Sequence, residues 1–156
     1  MKPEGIHRTI LLAEDDPDDI YLISEALDEC RLNARLFVVQ DGEELVDYLL
    51  QRGPYALADS SPRPDLILLD LNMPRMDGRE ALEVIKGEPE LRAIPVVVLT
   101  TSSAKEDKES TYSLGSSGFV TKPVSFNDLR DTICNIGTYW LRTVDLPNES
   151  DQEDAE

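Results

Sequence analysis

The sequence is poor in basic residues. Its 156 residues include 15 lysines and arginines against 32 aspartates and glutamates, which gives a formal net charge of −17. Nucleic acids and anionic membrane surfaces both attract Lys and Arg, so this balance argues against either as a partner. It suits divalent cations or basic protein surfaces, although acidity mostly serves solubility.

Long apolar runs and an export signal are also lacking. The longest apolar stretches, such as residues 96–99, are far too short to cross a bilayer. The first nine residues, MKPEGIHRT, contain no apolar signal core, and we therefore expect a cytoplasmic protein. Cysteine is scarce: Cys30 and Cys134 lie far apart without metal-type spacing, and we expect two reduced thiols.

Short apolar runs alternate with amphipathic stretches along most of the chain. This pattern predicts strands at 9–13, 35–39, 65–70, 95–100 and 118–121, a first helix that starts at 16–17 and carries an apolar face through Leu27, and further helices at about 41–51, 78–87, 104–114 and 126–142. The run DLILLD at 65–70 is almost wholly apolar, which is typical of a central parallel strand covered on both faces. Alternating strands and helices of this kind predict an α/β fold, a doubly wound five-stranded parallel sheet with right-handed crossovers.

The chain reads as one domain with two polar ends. We expect the domain to span residues 7–142, with a flexible N-terminus at 1–6. Residues 143–156 hold six acidic residues and no basic one, which is typical of a disordered tail.

Polar residues follow the predicted strands at their carboxyl ends. In a doubly wound sheet the binding site lies at this edge, where the strand order reverses. Glu14 and Asp15 follow the first strand, Asp70 ends the third, Thr100 ends the fourth and Lys122 follows the fifth. If the strand order is 2-1-3-4-5, the first and third strands are neighbours and Asp70 meets the acidic pair.

Carboxylates that meet in this way need a compensating positive charge. Two carboxylates about 4 Å apart repel by about 4 kcal/mol at an effective dielectric constant of about 20. Hard oxygen ligands suit Mg²⁺, which can bridge protein and phosphoryl oxygens. Asp70 would then be a nucleophile that attacks phosphorus to form an acyl phosphate, with Lys122 and Thr100 binding the phosphoryl oxygens.

Four motifs, LLAEDD, LILLDLNMPRMDG, VVVLTTS and GFVTKP, occur in this order along the chain. Together they resemble the receiver domain of two-component response regulators, over roughly residues 6–142. The resemblance implies a flavodoxin-like (βα)5 receiver fold with strand order 2-1-3-4-5. It also implies Mg²⁺-dependent transfer of a phosphoryl group from a sensor histidine kinase.

The resemblance assigns a role to each matching residue. Asp70 is the phospho-acceptor, Thr100 and Lys122 contact the phosphoryl group, and Phe119 acts with Thr100 as a switch. The Lys122–Pro123 peptide bond is expected to be cis. The implied metal ligands are the side chains of Glu14, Asp15 and Asp70 and the backbone carbonyl of Asn72.

Three further segments resemble the small single-domain regulators paired with bacterial phytochrome histidine kinases. They are the proline-rich insertion before DLILLDLNMP, the run PELRAIPVVVLTTS and the terminal YWLRTVDLP. This resemblance implies a phytochrome-type kinase as partner and protein–protein output, for example to a downstream phosphotransfer protein.

The last predicted helix carries more apolar residues than one stripe requires. Phe126, Leu129, Ile133 and Ile136 recur at helical spacing and are expected to face the sheet. These extra apolar residues either fold back onto their own domain or join two copies, as a symmetric homodimer or through an exchanged C-terminal arm. We predict the homodimer. The candidate interface residues are Tyr139, Trp140, Leu141 and Val144.

Several alternatives remain open at this point. Asp16 either caps the first helix, which we favour, or helps to hydrate the metal. An aspartate-nucleophile phosphatase would want a second acid two residues after Asp70, where Asn72 stands. A binding module that does not depend on phosphorylation would have no need for the complete set of site residues.

Overall fold

Five parallel strands form a single sheet. The computed structural model describes residues 8–57, 61–102 and 104–147. The strands are β1 (Arg8–Ala13), β2 (Ala34–Val39), β3 (Leu66–Leu69), β4 (Val96–Thr100) and β5 (Gly118–Thr121), in the order β2-β1-β3-β4-β5. The predicted fold class and strand order are therefore confirmed, and the apolar runs placed each strand to within about one residue.

A helix follows each strand, as the alternating pattern predicts. The helices are α1 (Pro17–Cys30), α2 (Gly42–Leu50), α3 (Gly78–Gly87), α4 (Lys105–Leu114) and α5 (Phe126–Thr138). A 3₁₀ turn at Gly53–Tyr55 lies in the proline-rich loop before β3. The last helix does not stay α-helical to residue 142: from Tyr139 to Thr143 it widens into a π-helix, closed by a bond from the Val144 N–H to the Tyr139 carbonyl at 2.9 Å.

The sheet lies between two helical layers because its central strands are apolar on both faces. Every residue of β1, β3 and β4 is buried. Alternate strand residues pack on one side against α2 and α3, and on the other against α1 and α5. This arrangement leaves the carboxyl edge of the sheet as the place where polar strand-end residues gather.

The two cysteines are joined, contrary to the expectation of free thiols. Cys30 ends α1 and Cys134 lies in α5, and they form a disulfide with their Cα atoms 5.5 Å apart. The expectation was wrong because it rested on a separation of 104 residues along the chain. α1 and α5 pack side by side on the same face of the sheet, which removes that separation in space.

The C-terminal segment folds back in part onto its own domain. Leu141 and Leu146 are 1 % and 4 % exposed and belong to the core on the α1–α5 side, with Trp140 and Val144 packed beside them. Tyr139 remains 54 % exposed. The expected flexible N-terminus at 1–6 and residues 148–156 of the tail expected at 143–156 lie outside the described residues, whereas Leu146 of that tail is buried in the core. Within the described ranges, no helix combines the length and the apolar character that a bilayer crossing requires.

Candidate functional site

The end of β1 carries the first two acidic side chains to the edge of the sheet. The Glu14 N–H donates to the Val39 carbonyl at 2.9 Å, which extends the β1–β2 pairing by one residue. Glu14 is therefore buried, whereas Asp15 is exposed. Asp16 then caps α1, because its carboxylate accepts a hydrogen bond from the Asp18 N–H at 2.9 Å. The favoured interpretation of Asp16 as a helix cap is confirmed.

Asp70 follows β3 directly and lies beside the end of β1. Its N–H donates to the Ala13 carbonyl at 3.0 Å, which fixes its backbone next to Glu14. Its side chain is almost buried, and Oδ1 accepts a hydrogen bond from the Asn72 N–H at 3.3 Å. The order of the strands thus brings Asp70 to the acidic pair, as the sequence predicts.

Three carboxylates converge at this edge. Glu14, Asp15 and Asp70 each offer an oxygen atom, and these atoms all lie within 4.8 Å of one another. Two of the three are buried, so water screens their repulsion poorly. Such an arrangement is unfavourable unless a cation or a proton compensates it.

Lys122 provides part of that compensation. Its N–H donates to the Thr100 carbonyl at 2.8 Å, and its side chain, only 6 % exposed, turns toward the acidic cluster. The ammonium contacts a carboxylate oxygen of Glu14, one of Asp19 at 2.8 Å and one of Asp70 at 3.6 Å.

The peptide bond between Lys122 and Pro123 is trans, so the expectation of a cis bond is wrong. The intrinsic preference of X–Pro bonds for the trans form holds here.

The donor set fits a divalent metal ion. One ammonium serves three carboxylates, and Asp15 adds a fourth negative charge, so the site retains a net negative charge. All the side-chain donors are carboxylate oxygens, which suit hard cations such as Mg²⁺, Ca²⁺ and Mn²⁺. Glu14, Asp15 and Asp70 can therefore hold such an ion together.

Burial and neighbouring charges shift the protonation equilibria of this cluster. Burial raises the pKa of Glu14 from 4.5 to about 7, and the charge of Asp70 adds to the rise while Lys122 opposes it. Burial alone would lower the pKa of Lys122, but its hydrogen bonds to Asp19 and Glu14 outweigh burial and raise the pKa. Lys122 therefore stays charged, and Glu14 exchanges its proton near neutral pH.

The remaining predicted site residues lie around the cluster. Thr100 ends β4 and is fully buried, and its hydroxyl oxygen accepts a hydrogen bond from the Ser102 N–H at 3.4 Å. Phe119 lies in β5 opposite Val98 and is half-buried. Asn72 is exposed on the loop after β3.

The sequence did not single out two residues that shape the site. Asp19 reads as an ordinary first-turn acid of α1, yet its carboxylate is a direct partner of Lys122. Gly78 begins α3, and its N–H donates to the Leu71 carbonyl at 3.0 Å. A Cβ at Gly78 would collide with the Asp70 carbonyl oxygen and lie 2.7 Å from the Leu71 Cα. The Asp-Gly pair in the motif NMPRMDG was the only signal for this close approach.

Comparisons with known proteins agree with this geometry. Residues 10–134 match the family model of the response regulator receiver domain. The chain is 43 % identical to response regulator Rcp1 of Synechocystis sp. over 140 residues, which are 90 % of this chain and 93 % of that protein.

Crystal structures of similar proteins have the same fold. The phosphorylated cyanobacterial phytochrome response regulator RcpA gives a TM-score of 0.86 at 44 % identity, over 92 % of this chain and 100 % of that one. The Mn(2+)-bound form of Rcp1 gives 0.82 at 43 % identity, over 90 % and 99 %. Response regulator RPA3017, from red light signaling of R. palustris, gives 0.85 at 33 % identity, over 90 % and 99 %. The motifs, the fold and these relatives agree, and the chain belongs to the response regulator receiver family.

Proposed function

We propose that Asp70 accepts a phosphoryl group from the phosphohistidine of a sensor histidine kinase, and that the protein signals through protein–protein contacts. The observation that carries this proposal is the convergence of three carboxylates within 4.8 Å, with the Lys122 ammonium 3.6 Å from Asp70 Oδ2. Membership of the receiver family supports the class of reaction.

The reaction is a transfer between two side chains. A carboxylate oxygen of Asp70 attacks phosphorus, an O–P bond forms, and the P–N bond to the donor imidazole breaks with its electron pair left on the ring nitrogen. The Asn72 N–H, bonded to Asp70 Oδ1, holds the carboxylate in place. Lys122 and the Thr100 hydroxyl bind phosphoryl oxygens, and the resulting change reaches the surface as a population shift that includes Phe119.

We assign Mg²⁺ as the metal, held by Glu14, Asp15, Asp70 and the backbone carbonyl of Asn72. When bound, Mg²⁺ neutralises negative charge on the transferring phosphoryl group. The all-carboxylate side-chain set supports a hard divalent ion, and a phosphoryl ligand favours Mg²⁺ among them. That Rcp1 has a Mn(2+)-bound form supports a divalent metal ion for this chain as well.

The similarity to phytochrome response regulators supports a phytochrome-type histidine kinase as the donor. The phosphoryl group then passes to a downstream phosphotransfer protein, or the phosphorylated surface competes for the kinase. Because a kinase charges its histidine from ATP, the two proteins meet in the cytoplasm.

We further propose that the protein forms a homodimer through the segment after α5. Tyr139 is exposed, and Trp140 and Val144 are only partly buried, which leaves apolar surface for a second copy. Leu141 lies in the core of its own domain and stabilises the segment from within. Sedimentation should give a dimer for the wild type and a monomer for Trp140→Ala; equal monomeric masses would remove this part of the proposal.

An aspartate-nucleophile phosphatase is the rival function. Such an enzyme needs a general acid two residues after its nucleophile, and the amide of Asn72 is far too weak an acid to protonate a leaving group. We therefore propose that the domain promotes only its own phosphorylation and hydrolysis. Steady turnover of a small phosphate ester would favour the rival.

Phosphotransfer from a kinase tests the proposal. A phytochrome-type histidine kinase, autophosphorylated with radiolabelled ATP, should pass its label to the wild-type protein in the presence of Mg²⁺. Asp70→Asn should accept none, whereas Asp131→Asn, a change at an exposed aspartate of α5, should accept as much as the wild type. Equal labelling of Asp70→Asn would refute the assignment.

A further inference from the structure

A chain of hydrogen bonds leads from Thr100 to the third helix. The Thr100 hydroxyl oxygen accepts from the Ser102 N–H at 3.4 Å, and the Ser102 hydroxyl donates to Asp107 Oδ2 at 2.5 Å. Asp107 Oδ1 accepts from Arg79 Nε at 3.0 Å and from Arg79 Nη2. We call the last three residues, Arg79, Asp107 and Ser102, the latch.

The latch connects three elements that are separate in the sequence. Arg79 lies in the first turn of α3, Asp107 in the first turn of α4, and Ser102 in the loop that follows β4. A single carboxylate thus holds the loop after Thr100 against both helices. Any movement of the Ser102 backbone must either break these bonds or carry α4 with it.

The charged side chains of the latch are less exposed to water than those of an ordinary surface ion pair. The side chains of Arg79 and Asp107 are 33 % and 19 % exposed, whereas Lys105 and Glu109, a pair on α4, are 88 % and 66 % exposed. Hydrogen bonds from Ser102 and Arg79 lower the pKa of Asp107, so the carboxylate stays charged. The Lys105–Glu109 pair is therefore a matched control on the same helix.

We propose that the latch holds Thr100 in the arrangement described above and that Thr100 must leave this arrangement to bind a phosphoryl oxygen, so that Arg79, Asp107 and Ser102 are positioning residues for phosphoryl binding. The inference rests on the proposed function, in which Thr100 moves to bind a phosphoryl oxygen. A contact that exists in one of two states stabilises that state, and a ligand of the other state then binds more weakly. Breaking the latch should therefore strengthen phosphoryl binding at Asp70.

A gain in affinity for a phosphoryl group would distinguish loss of the latch from general damage to the fold. Beryllium trifluoride, an analogue of a phosphoryl group on a carboxylate, is titrated with Mg²⁺ into the wild type, Ser102→Ala, Asp107→Ala and Arg79→Gln. Each variant should bind the analogue at least about threefold more tightly, which corresponds to the loss of one hydrogen bond of modest net strength. Asp107→Ala removes a negative charge and Arg79→Gln a positive one, so a simple charge effect on an anion would move the two affinities in opposite directions.

Two controls test whether the change in affinity depends on Thr100. Glu109→Gln, which alters the exposed pair on α4, should leave the affinity unchanged. In a Thr100→Ala background, Ser102→Ala should have no further effect, because the latch acts through Thr100. If either charged variant fails to fold, the neutral Ser102→Ala carries the test.

The outcomes distinguish the two proposals. If the wild type binds the analogue through Asp70 but Ser102→Ala binds it equally or more weakly, the latch is refuted and the proposed function stands. If the wild type does not bind the analogue, or if Asp70→Asn binds it as tightly as the wild type does, both the proposed function and the latch are refuted.

Discussion

The Lys122 ammonium lies 3.6 Å from Asp70 Oδ2 and closer to Asp19 and Glu14 than to Asp70. Three carboxylates, two that follow β1 and β3 and one from α1, thus contact one lysine at the edge of the sheet. The lysine compensates charge that folding concentrates there, and a phosphoryl group on Asp70 would offer it a further anion. Under the proposed function, the same residue would serve stability before the reaction and binding after it.

Loss of Lys122 should destabilise the protein. Lys122→Ala leaves buried carboxylates without their partner, and we expect the free energy of unfolding to fall by about 3–5 kcal/mol. Urea unfolding in the presence of a chelator measures this change. Lys105→Ala, at an exposed ion pair, should cost less than about 1 kcal/mol. An equally small loss for both variants would contradict the structural role of Lys122.

Metal binding should release protons near neutral pH. Burial raises the pKa of Glu14 to about 7, so a proton competes with Mg²⁺ for this carboxylate below that pH, and the Mg²⁺ affinity should increase as pH rises through it. Without metal, rising pH has the opposite effect on the free energy of unfolding. The folded state binds the Glu14 proton more tightly than the unfolded state does, so the stabilisation that this proton provides is lost as pH rises from 4.5 toward 7.

Calorimetric titration with Mg²⁺ in two buffers of different ionisation enthalpy measures the proton release. Glu14→Gln should show none of the release that comes from this carboxyl. A wild type that binds Mg²⁺ with the same affinity on both sides of pH 7 would contradict the shifted pKa of Glu14.

Gly78 should be required for the position of Asp70. A methyl group at Gly78 would collide with the Asp70 carbonyl oxygen, whereas a methyl group at Gly87, at the other end of α3, would meet no atom within 4 Å. We expect Gly78→Ala to slow phosphorylation and to destabilise the fold by about 1–3 kcal/mol, as overpacking does. Gly87→Ala should be neutral or stabilising. Equal phosphorylation rates for the two variants would show that the close approach is dispensable.

The disulfide between α1 and α5 should stabilise the protein. Reduction of Cys30–Cys134 removes a crosslink between helices, and we expect a loss of about 2–5 kcal/mol in the free energy of unfolding. Thermal unfolding with and without reductant measures it, and the double variant Cys30→Ser/Cys134→Ser should not respond to reductant. Alkylation of two thiols in denatured protein that was never reduced would contradict the crosslink.

Much of the fold follows from local patterns in the sequence. β1, β3 and β4 could be located because strands covered on both faces require unbroken apolar runs, and these stand out from the acidic remainder. The convergence of Glu14, Asp15 and Asp70 followed once the strand order was given, and that order came from the resemblance to receiver domains, not from a local pattern. These predictions needed no knowledge of how helices pack.

The features that escaped prediction depend on helix packing. Asp19 could be placed on the first turn of α1, but its contact with Lys122 depends on how α1 meets the loop after β5. The disulfide depends on α1 and α5 lying side by side. Periodicity in a single sequence carries no information on such contacts.

Phosphorylation by a small donor tests the central claim most directly. After incubation with acetyl phosphate and Mg²⁺, the intact mass of the wild type should rise by about 80 Da, the mass of one phosphoryl group. Asp70→Asn should gain nothing, and chelation of the metal should abolish the gain in the wild type. A wild type that gains no mass, or an Asp70→Asn variant that gains as much as the wild type, would contradict the account.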